Sequence, residues 1–576
     1  MKLPTYAAFV KAGLIDGPID ISWPDADLEQ TMNRFQAIAI LLVGQALLSS
    51  APLLAATATS KTAVVPKWGQ FERSFTSSTT YSNALQEASL RVVFTSPAGE
   101  TQEVSGFWDG GKTWRVRFSP DLLGRWAFTT YCSDAANNGL HHQSGGFLCA
   151  VNTSQIELSR HGTVRVARDG RHLEHADGTP YFLTSDTVLE GAIKSTLRDW
   201  QIYAHTRALQ GFNAAVWAAG PGTDAEGETG FTGYSDNVQV NPSYFRRLDE
   251  RLETLRQAGL VSVIIPFSDA LARKEPGAEL RGDQIGLLLR YLVARWGSSP
   301  VIWLLPVDGE DLKTQTTRWK QVGKDVFGQG KHAPVMVRGR MHGTVFDYFR
   351  DEPWVQLFGS GVETGSAEEL AKELAALGFL EDLELKSQSV RLVIPFLPEE
   401  NSLAVGGDNR VSDELVRNAA CWTLLGGRPS GVCYAGFGIS EWRAMEEGKP
   451  QEDGFPFWRK ALFLPGAKQV SKLAEELGNL PFWTLSSDAK VLKGPPTRTT
   501  PERLVTAVSA DKGMLVVAYS PQGEPIRLEA GGEPAQGTVT WLNARTGEST
   551  TETGPIGTEL TPPDKGDWIL IVRRNR

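Results

Sequence analysis

The sequence predicts a multidomain chain: an N-terminal β-sandwich, a central (β/α)8 barrel of the TIM type and a C-terminal β-sandwich. Three observations carry this. A length of 576 residues exceeds one compact core. Short alternating strands broken by Gly, Pro and Asp fill both ends of the chain. Between them, apolar strand-like runs alternate with amphipathic helices, which is the order of a closed parallel barrel. The hydrophobic fraction of 41% and charged fraction of 22% exclude wholesale disorder, a polytopic membrane protein and a charge-rich coiled coil. The net charge of −9 leaves no footprint for nucleic-acid phosphate and favours a neutral or weakly charged ligand. The 17 tryptophans suit stacking on sugar rings and suit a β-rich core equally well.

The one long apolar run follows Met32-Asn33-Arg34, continues from Ala37 to Leu48 and reaches Ala56-Thr57-Ala58. A cationic start, an apolar middle and small residues at a cleavage point are the layout of a secretory signal peptide. Gly44, Gln45 and Pro52 make the run a poor spanning helix. The expectation is therefore a mis-called extension over 1–31, a signal peptide over 32–58, and a mature chain near Thr59 that is periplasmic or secreted, without a transmembrane span. No Cys pair has metal-ligand spacing. Cys132 and Cys149 each end a strand candidate and form a candidate disulfide in an oxidising compartment, whereas Cys421 and Cys433 read as buried thiols.

Residues 59–152 hold strand candidates at Leu90 to Phe94, Gly106 to Trp108, Thr113 to Phe118, Arg125 to Tyr131 and Gly146 to Val151, hence a small sandwich. Residues 153–484 hold eight apolar runs: Tyr181 to Ser185, Ala214 to Ala218, Val261 to Phe267, Val301 to Pro306, Val335 to Arg338, Val355 to Phe358, Val390 to Pro395 and Gly431 to Tyr434. Helical stretches lie between them at Ser195 to Gln210, Pro242 to Ala258, Asp283 to Trp296, Thr314 to Phe327, Ser366 to Leu377 and Asp413 to Leu425. A doubly wound open sheet is the competitor, and no G-x-G-x-x-G loop follows the first strand to support it. Residues 485–576 return to short strands at Leu515 to Ser520, Gly537 to Leu542 and Trp568 to Val572, led in by Gly494-Pro495-Pro496.

Barrels of this kind work at the C-terminal ends of their strands, so polar residues just past each run are the candidates. These are Asp186, Trp217, Asp269, Asp308, Arg338 with His342, Glu363, Glu399 with Glu400, and Tyr434. Carboxylates dominate. No G-x-S-x-G elbow, H-E-x-x-H helix or Cys-plus-His arrangement competes with them. Paired carboxylates at strand ends point to glycosidic bond hydrolysis, in which one acid protonates the departing oxygen and a carboxylate attacks the sugar or activates water. Strands four and seven face each other across an eight-stranded ring, so the catalytic candidates are Asp308 with Glu399 or Glu400. Asp186, Trp217, Asp269, His342, Glu363, Tyr434 and Trp442 are the substrate-binding candidates. Asp186 serves a loop as readily as a substrate hydroxyl, and Trp217 and Trp442 serve a core as readily as a sugar face. No metal or other cofactor is called for.

Several motifs resemble a known family. Gly106-Phe107-Trp108-Asp109-Gly110, Trp114-Arg115-Val116-Arg117-Phe118 and Gly124-Arg125-Trp126 resemble the G-F-[WY]-D-G, W-x-V-R-F and G-x-W signatures of the DUF5060 β-sandwich. Asp177-Gly178-Thr179-Pro180-Tyr181-Phe182 with Ser185-Asp186-Thr187, Gly211-Phe212-Asn213, and Val301 to Asp308 resemble the D-G-x-P-[FY]-F…G-D-T, G-F-N and V-I-W-x-L-G-G-D motifs of apiosidase-like barrels (DUF4038, glycoside hydrolase family 140). Glu352-Pro353-Trp354, Ala419-Ala420-Cys421-Trp422, Tyr434 and Gly438-Ile439 to Trp442 follow that family's order, the last resembling its I-W-x-W close. The resemblance implies a glycoside hydrolase with Asp308 at the acid/base position and a C-terminal domain of a type named for collagen binding. Two motifs depart: the double glycine before the strand-four Asp is Pro306-Val307 here, and the strand-seven G-E-P is Phe396-Leu397-Pro398-Glu399-Glu400-Asn401. The expected function is an exported, exo-acting glycoside hydrolase on side chains of a plant, algal or microbial polysaccharide. The alternative is a carbohydrate- or matrix-binding protein that keeps a degenerate barrel without its chemistry.

Overall fold

A computed structural model describes residues 62–220, 222–233, 237–267, 280, 282–307, 312–340, 345–362, 366, 368–372, 392–404, 409–445, 454–493, 503–529 and 535–575. The chain divides into residues 1–63 and 64–576, and the second unit is described below. The expected N-terminal extension and signal peptide lie outside the described residues, as does the Gly494-Pro495-Pro496 lead-in.

The N-terminal sandwich packs a five-stranded sheet against a three-stranded antiparallel one. Ala63–Pro66, Ser144–Ala150, Gly124–Cys132, Leu90–Thr95 and Thr101–Ser105 form the first in that order; Phe71–Thr76, Thr113–Phe118 and Phe107–Trp108 form the second. Period-two alternation decides which side chains meet. Thr113–Phe118 turns Trp114, Val116 and Phe118 inward and leaves Arg115 and Arg117 outside. Phe94 stacks on Phe118 at 4.1 Å and Phe71 on Phe147 at 4.3 Å between ring centroids. All four cysteines are buried and free, so the candidate bridge between Cys132 and Cys149 is corrected. Cys149 pairs in register with Gly124, eight residues from Cys132 along the same strand, or roughly 27 Å at 3.4 Å per residue. No disulfide spans that distance.

Eight parallel strands close the barrel in chain order: β1 (Leu183–Thr187), β2 (Ala214–Ala218), β3 (Val261–Ile265), β4 (Val301–Pro306), β5 (Val335–Arg340), β6 (Leu357–Gly361), β7 (Leu392–Phe396) and β8 (Gly431–Ala435). Helices α1 (Leu197–Leu209), α2 (Pro242–Gln257), α3 (Gly282–Trp296), α4 (Leu312–Phe327), α5 (Val345–Phe349), α6 (Asp413–Leu425) and α7 (Pro465–Gly478) follow β1, β2, β3, β4, β5, β7 and β8. Their starts are chemically marked. Thr196 accepts the Asp199 amide ahead of α1, Asn241 precedes Pro242 at the first turn of α2, and Ser412 accepts the Leu415 amide at α6. Val216, Val263, Leu304, Met336, Ile394 and Phe396 pack together inside the ring, while Ala215, Trp217, Trp303, Val337 and Tyr434 face the helices. A three-stranded antiparallel sheet (Val164–Val166, Leu173–His175, Pro180–Tyr181) closes the N-terminal end, with Val164, Leu173 and Tyr181 joining the interior group. Among the described residues no helix is long and apolar enough to cross a membrane.

Charge and apolar contacts dock the outer domains on the barrel. Arg117, on the outer face of the three-stranded sheet, donates to Asp249 of α2 at 2.8 Å; Arg295 of α3 donates to Asp249 at 2.7 Å and to Asp109 at 2.9 Å. At the other end a six-stranded antiparallel sheet runs in the order Ser486–Ser487, Thr506–Ala510, Leu515–Ser520, Trp568–Arg574, Gln536–Asn543 and Ser549–Pro555. One face carries a two-stranded ribbon (Ile526–Arg527, Glu559–Leu560) and the other packs on α6. There the Trp422 indole donates to the Leu504 carbonyl at 2.8 Å, Arg417 pairs with Asp567, and the Tyr519 hydroxyl donates to Asn418.

Candidate active site

Adjacent residues on a barrel strand point to opposite sides, and this sorts the predicted site residues. Asp186 pairs in register with Ala215 and Tyr434, and all three face the helices. Its carboxylate accepts Arg207 Nε at 2.8 Å and the Tyr203 hydroxyl at 2.9 Å, both from α1. Burial pushes the Asp186 carboxyl up, and the Arg207 guanidinium pulls it back down. Arg207 also donates to the Leu462 carbonyl at 3.0 Å, so the pair clamps the chain ahead of α7 to α1. The expectation that Asp186 and Tyr434 bind substrate is therefore corrected, since both are 0% exposed and point away from the ring. Trp217 is corrected likewise: it is fully buried and meets Trp296 of α3 at 5.7 Å. Trp442 stacks on Trp458 at 4.4 Å, beside Trp200 and Tyr203, and is a core residue.

Strand seven separates the two glutamates. The Glu400 amide donates to the Ala435 carbonyl, and the Phe437 amide to the Glu400 carbonyl, so pairing between β7 and β8 continues past both strands. The Glu400 side chain is 3% exposed; it accepts the Tyr434 hydroxyl and, at 3.1 Å, the Gly466 amide in the first turn of α7. Burial pushes its carboxyl above the ordinary range. Glu399 goes the other way. Only half-buried, it lies beside Ser440 and Glu441 in the loop after β8. Burial first, and the Glu441 charge second, push its carboxyl up to about 8. Glu441 in turn accepts the Gly438 amide at 3.0 Å, which fixes it within its own loop.

Glu441 and Ser440 are absent from the residues predicted by strand-end position, because they lie five or more residues past the end of β8. The signal was present in Ile439-Ser440-Glu441-Trp442, where a serine occupies the first tryptophan position of the I-W-x-W pattern. Asp308, Asp269, His342 and Glu363 lie outside the described residues; the described part of strand four ends at Val307, one residue before Asp308. A cavity of about 570 Å³ opens beside Glu400 between the starts of α6 and α7, lined by Asn401, Arg410, Ser412, Asp413 and Lys460 among others. Among the described residues no group of three or more His, Cys, Asp or Glu side chains is arranged to hold a metal ion.

A closed parallel barrel with carboxylates past its strand ends, set between two β-domains, defines the class: a multidomain glycoside hydrolase architecture. The family profile described as Apiosidase-like, catalytic domain, matches residues 167–484, and the domain of unknown function DUF5060 matches residues 64–133. The chain belongs to the apiosidase-like family and is a glycoside hydrolase. Among solved structures it is similar to a candidate glycoside hydrolase from Bacteroides vulgatus ATCC 8482, at 17% identity over 89% of this chain and 100% of that one, with a TM-score of 0.67. It is also similar to a family 5 glycoside hydrolase from the same organism, at 18% identity over 72% of this chain and 94% of that one, with a TM-score of 0.61. At these identities the likeness is one of fold. No match was found among curated proteins.

Proposed function

We propose that the protein is an exported, exo-acting glycoside hydrolase that removes side-chain sugars from a plant, algal or microbial polysaccharide, with Asp308 and Glu399 as its two working carboxylates. One observation carries the choice of Glu399: Glu400 is tied to Tyr434 and the α7 amide, which leaves Glu399 as the strand-seven carboxyl turned toward the loops of the barrel's C-terminal face. Asp308 takes the acid role by the strand-four motif it closes. It protonates the departing glycosidic oxygen while Glu399 attacks the anomeric carbon or activates water on the other face of the sugar. The outer β-domains brace the barrel through Arg295 and Arg417.

The test is a screen of the purified protein on aryl glycosides and on pectic and algal glycans. General acid–base assistance contributes roughly 10²–10⁴-fold, so Asp308→Asn and Glu399→Gln should each lose turnover on that scale while the circular dichroism spectrum stays native. Wild-type turnover in either variant removes that residue from the reaction. Binding of a glycan without turnover would favour the degenerate-barrel reading, to which the Pro306-Val307 departure belongs. Export predicts that the protein made from its full gene in a bacterial host is recovered outside the cytoplasm with an N-terminus near Thr59.

A further inference from the structure

We propose that the cavity between the starts of α6 and α7 is a second sugar subsite, which takes a neutral, hydroxyl-rich unit of the polysaccharide outside the barrel's mouth. The proposal rests on the glycoside hydrolase reading and adds a place where the polymer is held. A volume of about 570 Å³ lies within the range of small-ligand clefts. Its position follows from strand seven. Glu399 and Glu400 are consecutive, and Glu400 lines the cavity, so one short segment both borders it and carries the proposed working carboxyl. Asn401 then takes a left-handed backbone (φ 66°) and turns the chain into a hairpin. There the Asn401 amide bonds to the Val411 carbonyl at 2.8 Å and the Val411 amide to the Ser402 carbonyl at 2.9 Å. Main-chain bonds therefore fix this wall.

Donors and acceptors both line the cavity, and the mixture selects the ligand. Arg410 lies over the Phe455 ring at 3.9 Å and donates to the Asn401 side chain at 3.1 Å and the Gly454 carbonyl at 3.2 Å, so its guanidinium is held in place before a ligand arrives. The Lys460 side chain is exposed, lines the same space and has no ion-pair partner among the described residues. Against these donors stand two carboxyls. Asp413 accepts Gln469 at 2.9 Å through one oxygen, and Glu400 accepts the Tyr434 hydroxyl and, at 3.1 Å, the Gly466 amide. Arg417 reaches Asp413 at 3.5 Å but pairs more closely with Asp567. A sugar hydroxyl both donates and accepts, so a ring bearing several is matched by ammonium, guanidinium and amide on one side and by carboxyl on the other. A uronate or a sulfate ester would instead meet Asp413 as a like charge. The helix starts already have acidic partners: Asp413 and Glu414 in the first turn of α6, and Glu400 on the Gly466 amide of α7. Pro456, Leu464 and Pro465 supply apolar surface for the C–H face of the ring.

The test titrates the whole protein calorimetrically with neutral galacto-, xylo- and manno-oligosaccharides, and with oligogalacturonate as the acidic probe. Lys460→Met removes the ammonium from an exposed position. Asn401→Gly removes the amide that orients Arg410 while keeping the left-handed backbone, and an unchanged unfolding midpoint checks that the double variant keeps its fold. At least one neutral probe should bind wild type, and the double variant should bind it at least about tenfold more weakly, the loss expected when a charged and a neutral hydrogen bond go together. With a substrate from the screen, the ratio of kcat/KM on the oligosaccharide to that on the aryl glycoside, which is too short to reach the cavity, should fall by a similar factor through KM. Equal affinity in wild type and the double variant, or no binding of any neutral probe by wild type, overturns the proposal. Tighter binding of oligogalacturonate that depends on Lys460 also overturns it and makes the cavity an anion site. An equal fall on both substrates overturns it as a subsite and assigns the cavity to the support of Glu400. If Asp308→Asn and Glu399→Gln both turn over normally the hydrolytic assignment falls, while the titrations still decide whether the subsite exists.

Discussion

Asp186 and Glu400 show how one strand position decides between chemistry and support. Both follow an apolar run, both are carboxylates, and both are bound to groups in the helical layer. Asp186→Asn would leave Arg207, itself fully buried, without its counter-charge, and should lower stability by about 3–5 kcal/mol in chemical denaturation. Glu399 and Glu400 were legible as residues past the end of strand seven, because an apolar run shows where a strand stops. Their direction was not. Barrel strands are buried on both faces, so β2 reads Ala-Ala-Val-Trp-Ala without the alternation that would have placed Trp217 outside the ring. Glu441 escaped for a different reason, since its neighbour Glu399 lies 42 positions earlier and meets it only when β7 and β8 pair.

Among the elements, β2, β4 and α6 occupy the spans expected from sequence residue for residue, and Thr113–Phe118 in the sandwich does too. Each is an unbroken run with Ser, Asn, Gly or Pro at or near its ends. Strand six is shifted: expected from Val355, it begins at Leu357, because Glu352-Pro353-Trp354 forms a turn in which the Val355 amide bonds back to the Glu352 carbonyl. The three short strands that close the lower end of the ring, beginning at Val164, Leu173 and Pro180, carried no periodic signal at two or three residues each. Their importance is in packing. Leu173 is 0% exposed among the interior residues, so Leu173→Ala should cost about 2–5 kcal/mol, measured as a shift in the urea midpoint, although it lies at the end of the barrel away from the reaction.

For the whole molecule, the three-part order was legible because the texture of the chain changes from short alternating strands to strand-and-helix repeats and back. The docking was not legible, since the charges that make it are far apart in sequence: Asp109 and Arg295 are separated by 186 positions. Asp249 receives both Arg117 and Arg295, and those two cations hold its carboxyl below the usual range against the opposing effect of burial. Asp249→Ala would remove the carboxylate shared by two largely buried guanidinium groups, leaving Arg295 to Asp109 and Arg117 to Glu72, and should destabilise by up to about 3–5 kcal/mol. Differential scanning calorimetry should then resolve the sandwich melting apart from the barrel, whereas wild type should give one transition.

The sheet that seals the lower end of the ring has a bearing on traffic. With the interior filled by Met336, Phe396 and their neighbours and the far end shut by Leu173 and Tyr181, the described residues leave no back exit. Under the proposed function a freed sugar leaves by the mouth through which substrate enters, so departing product and incoming substrate compete for one vestibule.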